Sequence, residues 1–282
     1  MPAPDVSIVV PTHDRPESLV GCLAAIEGQT GCGSFEVIVV DDGSRDEARV
    51  AAVVAGAPHA RLVRLEGKGP AAARNAGARA ARAPILCFTD DDCEPEPTWA
   101  ARLMETVRGG ADAVGGRLAN VRPDDPYGLA TLSIVTAFAA VGGELGFVGS
   151  GSMACRADVF EEVPFDERYP FASEDRDWSL RIISKGYRLE RNLDAVVVHM
   201  RQNTLVGFFQ RYVRYGEGAY VFRRIHSGGR PGPTNTYALA IRKGFEQGPR
   251  VGALVILSQI ATTIGFARAA RGDRRKRLAR LR

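Results

Sequence analysis

The sequence predicts an α/β fold built on a mainly parallel central sheet with helices on both faces. Three observations carry this. Short apolar, β-branched runs alternate with helix-compatible stretches through the first 90 or so residues. The apolar runs are nearly continuous, as in strands covered on both sides. Each is bounded by Pro, Gly or Asp. At 282 residues, with 45% hydrophobic and 25% charged side chains, the chain can bury a full core. That composition excludes collagen-like, disordered and disulfide-stapled classes.

Strands are expected at 6–10, 35–40, 61–65 and 84–89, and helices near 16–28, 45–56 and 70–82. The third helix is Ala-rich and ends near Pro84. After Asp92 the rhythm changes. A helix at about 97–108 and a strand near 112–118 are followed by an uncharged, helix-compatible stretch at 127–143. Then come a Gly/Ser-rich turn at 149–152 and a short helix near 157–162. A further helix starts at Ser173, whose hydroxyl can cap it, and stops at Gly186. A strand at 195–199 and helices at 204–224 and 235–246 complete the pattern. This divides the chain into a catalytic domain, 1–203, and a C-terminal helical extension, 204–282.

Residues 251–267 carry no charge. A membrane span needs about 20 strongly apolar residues, and this run includes Ser258, Gln259, Thr262 and Thr263. It reads as a buried or membrane-surface helix. From Arg268 onward eight basic residues face one acid, a net +7 within a chain of net charge +4. The preceding body is therefore mildly acidic, and a nucleic-acid partner is not expected. The tail offers an anionic membrane surface as a partner. Five cysteines without CxxC spacing fit reduced thiols. The N-terminus enters a strand directly, without a secretory pattern. Cytoplasmic localisation, with the tail peripheral on the inner face of the plasma membrane, is the expectation.

The chemistry concentrates at strand ends. Asp90-Asp91-Asp92 follows an apolar strand, where open sheets bind ligands. Three adjacent carboxylates repel one another unless a cation neutralises them, and Mg²⁺ or Mn²⁺ suits oxygen ligands. An acidic cap on the next helix is the plainer alternative. Asp41-Asp42-Gly43-Ser44 ends the second strand, and a carboxylate there could accept bonds from a base or ribose, or simply form a turn. In Gly67-Lys68-Gly69-Pro70, followed by Arg74, small residues allow close backbone approach, and Lys68 or Arg74 could meet a diphosphate. The same stretch formally matches a dinucleotide fingerprint, but it follows the third strand instead of the first. Acids crowd the helix start at Ser173-Glu174-Asp175-Arg176-Asp177, where one could act as a base and Asp177 could pair with Arg181. His199, ending a strand, could become a third metal ligand.

Taken in order, Val6–Arg15, Asp41-Asp42-Gly43-Ser44, Gly69–Asn75, Asp90-Asp91-Asp92 and Glu174-Asp175 resemble the motif set of the inverting family 2 glycosyltransferases with a GT-A fold, over about residues 5–200. The resemblance implies metal-dependent transfer from a nucleoside-diphosphate sugar to a glycan, lipid-linked or small-molecule acceptor. It would put Asp42 on the base, Pro11 and His13 along the nucleotide pocket, and Lys68 near base or diphosphate. Asp90 and Asp91 would lie at the donor, and the metal would take Asp90 or Asp92, with Asp92 favoured as the direct ligand and His199 beside it. Asp175 matches the catalytic base. Processive members carry Gln-x-x-Arg-Trp; Gln210-Arg211-Tyr212-Val213-Arg214 departs from it, which implies single additions. Two other readings remain open at this point: a nucleotidyltransferase on a related scaffold, and a non-catalytic membrane-associated module.

Overall fold

The computed structural model describes residues 2–120, 124–142, 147–200, 204–226 and 234–279. The basic positions Arg274, Arg275, Lys276, Arg277, Arg280 and Arg282 lie outside the side chains it describes. The first half alternates as expected: β1 (Val6–Thr12), α1 (Pro16–Glu27), β2 (Phe35–Asp41), α2 (Glu47–Ala55), β3 (Ala60–Arg64), α3 (Pro70–Ala80) and β4 (Ile85–Thr89). There follow β5 (Cys93–Pro95), α4 (Trp99–Arg108), β6 (Ala113–Asn120), α5 (Pro126–Gly142), β7 (Ser152–Arg156), α6 (Ala157–Glu162), α7 (Glu174–Ser184) and β8 (Leu189–His199). Three helices end the chain: α8 (Leu205–His226), α9 (Thr234–Glu246) and α10 (Pro249–Ala279).

The sheet runs β3-β2-β1-β4-β7-β6-β8-β5. β3, β2, β1 and β4 are mutually parallel, and β6 is parallel to β8. β7 is antiparallel to β4 and β6, and β5 is antiparallel to β8. The sheet is therefore mixed in its second half. Neither β5 nor β7 is expected from the sequence pattern. β5 is three residues long and ends in proline at a sheet edge. β7 reads Ser-Met-Ala-Cys-Arg and has no β-branched residue. β8 also begins earlier than its apolar half, with residues 190–194 polar apart from Leu193 and mostly exposed.

The continuous apolar strands are explained by two cores. Ile8, Val10, Val37 and Val39 pack with Leu19, Cys22 and Ile26 of α1 on one face. Val9, Ile38, Val40 and Phe88 pack with α3, α6 and α7 on the other. Successive side chains of one strand thus enter opposite cores. α3 approaches its face closely: a Cβ at Gly77 would strike Val9 Cγ1 and come within 3.1 Å of Val40 Cγ2. All five cysteines are buried with free thiols.

The described chain forms two compact units. The first comprises 1–121, 147–167 and 175–201; the second comprises 122–146, 168–174 and 202–282. The second therefore takes in two earlier segments besides the extension expected after 203. Its own core joins Ala130 and Ala137 of α5, Phe208 and Tyr212 of α8, Ala240 of α9, and Val255 and Ala261 of α10. Residues 249–273 of α10 are long and apolar enough to cross a membrane by composition, and 39% of an 18-residue apolar window within them is buried.

Candidate active site

β2 and β3 extend the sheet to one side of β1, whereas β4 lies on the other. The strand order reverses between β1 and β4, and in open α/β sheets such a reversal opens a crevice at the carboxyl ends. β1 stays paired with β2 through Thr12, but its ladder with β4 ends at Val9 opposite Phe88. Pro11, which has no amide to donate, sits beyond that point, and its neighbour Thr12 faces the acidic cluster.

The loops after β1, β2 and β3 are fastened to one another. His13 Nδ1 lies 2.8 Å from the Asp42 carbonyl oxygen, which requires the proton on Nδ1. The Asp14 amide donates to Ser44 Oγ at 2.8 Å, and the Arg45 amide donates to Asp14 Oδ1 at 2.8 Å. Asp14 itself sits at φ 54°, a left-handed turn that aspartate tolerates. The Asp42 carboxylate accepts the Lys68 amide on Oδ1 and the Gly69 amide on Oδ2, each at 2.7 Å. Its neighbour Asp41 is fully buried, accepts the Ser44 amide at 2.9 Å and pairs with Arg64. The Lys68 side chain is exposed.

The three aspartates after β4 have three different environments. Asp90 accepts a 2.6 Å bond from Arg74, whose side chain is 5% exposed, so the first task of Arg74 is to neutralise Asp90. Asp91 is buried; Thr12 Oγ1 donates to one oxygen at 2.8 Å and Arg15 Nη1 to the other at 3.0 Å. Desolvation raises its pKa to about 6, against the pull of Arg15 and with the push of Asp92. Asp92 accepts Arg15 Nη1 on Oδ2 at 3.1 Å, and its Oδ1 lies 3.4 Å from His199 Nε2. Sheet register brings these two together, because Cys93 pairs with His199 across β5 and β8 and the Met200 amide donates to the Asp92 carbonyl.

Asp92, Cys93 and His199 hold one potential ligand atom each within 4.8 Å of one another. An oxygen and an imidazole nitrogen fit Mn²⁺, and Mg²⁺ with waters making up its shell. Burial and then the Asp90 and Asp92 charges push the Cys93 thiol far up. Among the described residues, Asp92 is the member of Asp90-Asp91-Asp92 that groups with His199 and Cys93.

Asp175 is the second residue of α7, which Trp178 and Ile182 anchor in the core among Phe160 and Phe165. The amide of Val148 donates to Ser179 Oγ at 3.2 Å, and Ser179 Oγ donates to the Asp175 carbonyl at 2.8 Å. The 147–151 turn is thereby tied to the helix. Asp175 Oδ2 lies 3.8 Å from where a Cβ of Gly149 would stand, and Asp90 Oδ2 lies 3.1 Å from that of Gly151. One glycine turn therefore borders both carboxylates. The expected Asp177–Arg181 pair forms at 2.6 Å. Ser173 adopts φ 76° immediately before the helix. Thr12, Arg15 and Cys93 were not picked out by sequence as site residues. The signal for Arg15 was a basic residue directly after the first strand.

A GT-A fold carrying this acidic cluster defines a class, the glycosyltransferases that act on nucleotide sugars, and solved structures share the fold. The mannosyltransferase PcManGT from Pyrobaculum calidifontis, in complex with GDP-Man and Mn²⁺, is similar with a TM-score of 0.59, over 99% of this chain and 81% of that one at 20% identity. A mycobacterial protein is similar with a TM-score of 0.56, over 78% and 74% at 21% identity. Residues 7–163 match the family described as Glycosyl transferase family 2, and the chain belongs to that family. Glycosyltransferase AglE of Haloferax volcanii is 31% identical over 206 residues, 70% of this chain and 67% of that one. The pre-mycofactocin glycosyltransferase of Mycobacterium tuberculosis is 28% identical over 227 residues, 76% of this chain and 47% of that one. The chain spans about two thirds of the first relative's length and about half of the second's.

Proposed function

We propose that the protein moves a glycosyl group from a nucleoside-diphosphate sugar to an acceptor hydroxyl, with inversion, one addition per encounter, and with Mg²⁺ or Mn²⁺ held by Asp92 and His199. The observation that carries this reading is the 3.4 Å approach of Asp92 Oδ1 to His199 Nε2 at the β1–β4 crevice. A GDP-Man and Mn²⁺ complex of a protein with the same fold agrees with it.

When bound, the ion supplies a Lewis acid for the charge that grows on the departing diphosphate. Asp42, Pro11 and His13 form the wall for the nucleotide, and Lys68 stands beside it as an exposed cation. Asp175 takes the acceptor hydroxyl proton. The acceptor oxygen then bonds to the anomeric carbon as the bond to the diphosphate oxygen breaks on the opposite face. The proton stays on Asp175 and the nucleoside diphosphate leaves. The Asp175 position at the start of α7, beside the Gly149 turn, supports this role.

The C-terminal helix α10 is proposed to meet an anionic membrane surface. Ile256, Ile260 and Ile264 form an exposed row at four-residue spacing on α10, followed by Arg268 and Arg271. Flotation with anionic vesicles tests this part: Ile256→Ser/Ile260→Ser should reduce recovery, and equal recovery would remove it. For the reaction, calorimetry with UDP, GDP and dTDP, with and without Mn²⁺, is the direct test. At least one nucleotide should bind in a metal-dependent manner. Absence of metal-dependent binding by any of them would overturn the metal-dependent donor reading. A donor panel scored for nucleoside diphosphate release, with the product linkage read by NMR, tests transfer and inversion.

A further inference from the structure

Asn75 ends the Gly69–Asn75 motif and is 3% exposed. Its side-chain amide is used in both directions on one loop. Nδ2 donates to the Phe165 carbonyl oxygen and to Glu167 Oε1, each at 2.9 Å, and the Phe165 amide donates to Asn75 Oδ1 at 3.0 Å. Only a carboxamide offers a donor and an acceptor side by side in this way. The same loop is gripped from α7. Trp178 Nε1 donates to the Val163 carbonyl oxygen at 2.6 Å, and Arg181 Nη2 donates to that of Pro164 at 2.7 Å. Arg181 is itself steadied by Asp177, at 2.6 Å from its Nε. Residues 163–165 therefore carry α7 on one side and α3 on the other.

α3 is also fixed at the β1–β4 crevice. The amide of Gly69, directly before Pro70, donates to Asp42, Arg74 donates to Asp90, and Gly77 leaves no room for a Cβ against Val9. Two neighbouring side chains of one helix, Arg74 and Asn75, thus hold the carboxylate after β4 and the loop that carries α7. We propose that Asn75 is a positioning residue: it sets α7, and with it Asp175, at a fixed distance from Asp42 and Asp90. The inference rests on the reading of Asp175 as the base. A base acts only within hydrogen-bond reach of the attacking hydroxyl, and a misplacement of about 1 Å can cost about 10²-fold in rate. Without Asn75 the loop would follow α7 and lose its reference to α3. The Gly69–Asp42 and Arg74–Asp90 bonds do not pass through the Asn75 side chain, so the donor side keeps its form.

The test is release of nucleoside diphosphate from UDP-, GDP- and dTDP-hexoses by the whole protein with Mn²⁺, water taking the place of the acceptor hydroxyl. Asn75→Ala, Glu167→Ala and Asp175→Asn are compared with wild type at a temperature where circular dichroism shows each fully folded. A loss of stability alone leaves turnover unchanged under that condition. In Asn75→Ala the turnover number should fall by about 10–100-fold. KM for the donor, and the calorimetric affinity for its nucleoside diphosphate, should stay within about twofold of wild type. Glu167→Ala removes one bond at an exposed residue and should lower turnover by about twofold to fivefold, again with KM kept. It decides the question where Asn75→Ala does not fold. Wild-type turnover in the deciding variant, or a raised KM with turnover kept, overturns the inference and leaves Asp175 standing as the base. Wild-type turnover in Asp175→Asn overturns the base reading and this inference with it. A wild-type protein that releases nucleoside diphosphate from none of these donors overturns the transfer reading and both that depend on it.

Discussion

His199 Nε2 lies 3.4 Å from Asp92 Oδ1, and the pairing of Cys93 with His199 in the β5–β8 ladder holds it there. The proposed ligand pair is therefore set by sheet register, not by loop folding. Partners that merely orient a metal ligand are worth roughly 10–100-fold in affinity. His199→Ala and Asp92→Asn should each weaken Mn²⁺ binding by at least about tenfold, measured by calorimetry. Wild-type affinity in both variants would remove them from the metal site.

Asp175 offers a sharper separation of binding from chemistry. Its amide-bonded oxygen, Oδ1, is held by the Arg176 amide at 2.7 Å, and Oδ2 borders the Gly149 turn. Asp175→Asn preserves shape and removes the proposed base. The turnover number should fall by about 10²–10⁴, the usual worth of a positioned base. Donor affinity, read by calorimetry with the nucleoside diphosphate, should stay within about twofold of wild type, because the proposed role of Asp175 is toward the acceptor. A variant that turns over normally would reassign the base.

The fit of α3 on the sheet predicts a packing effect far from the chemistry. Gly77→Ala would drive a methyl group into Val9 and Val40. Overpacking of this kind costs about 1–3 kcal/mol, while the better helix propensity of alanine returns up to about 1 kcal/mol. Thermal unfolding should show a net loss of roughly 1–2 kcal/mol. An unchanged midpoint would mean that the helix can lift without cost.

Glu36 makes stability depend on pH. It is 4% exposed; desolvation alone would raise its pKa, but bonds from Ser7 Oγ at 2.7 Å, the Arg82 amide at 2.8 Å and Arg82 Nε at 3.0 Å, with the charge of Arg61, outweigh it and lower the value. A carboxyl with a depressed folded pKa stabilises the fold above its unfolded value, near 4.5, and the contribution is lost as pH falls through the folded value. Urea denaturation at pH 7, 5 and 3 should show wild-type stability falling below about pH 4.5. Glu36→Gln should be less stable at pH 7 and should lack that share of the acid loss.

Most of the first half was legible because its signals are local. Apolar runs ending in Asp41-Asp42 and Asp90-Asp91-Asp92 mark both strand and site in one stretch. β7 escaped because its small residues acquire strand geometry only by pairing with β4 and β6, a long-range cause. The individual roles of the three aspartates escaped for a similar reason. In sequence Asp90, Asp91 and Asp92 are equivalent. They become different only when Arg74 arrives from α3, Thr12 and Arg15 from the end of β1, and His199 from β8. The Asp177–Arg181 pair, being one helical turn apart, needed no such help.

The double amide grip on the Asp42 carboxylate has a consequence for how the donor is received. The β2 and β3 loops are already clasped before any nucleotide arrives, so docking spends little free energy on ordering them. The cradle behaves as a preset mould, and its stiffness is inseparable from its chemistry. An Asp42→Asn protein would present an amide nitrogen to an opposing amide N–H and unlatch the loop that carries Lys68. Weakened nucleotide capture in such a protein would therefore report a sprung hinge as much as a missing contact to the base.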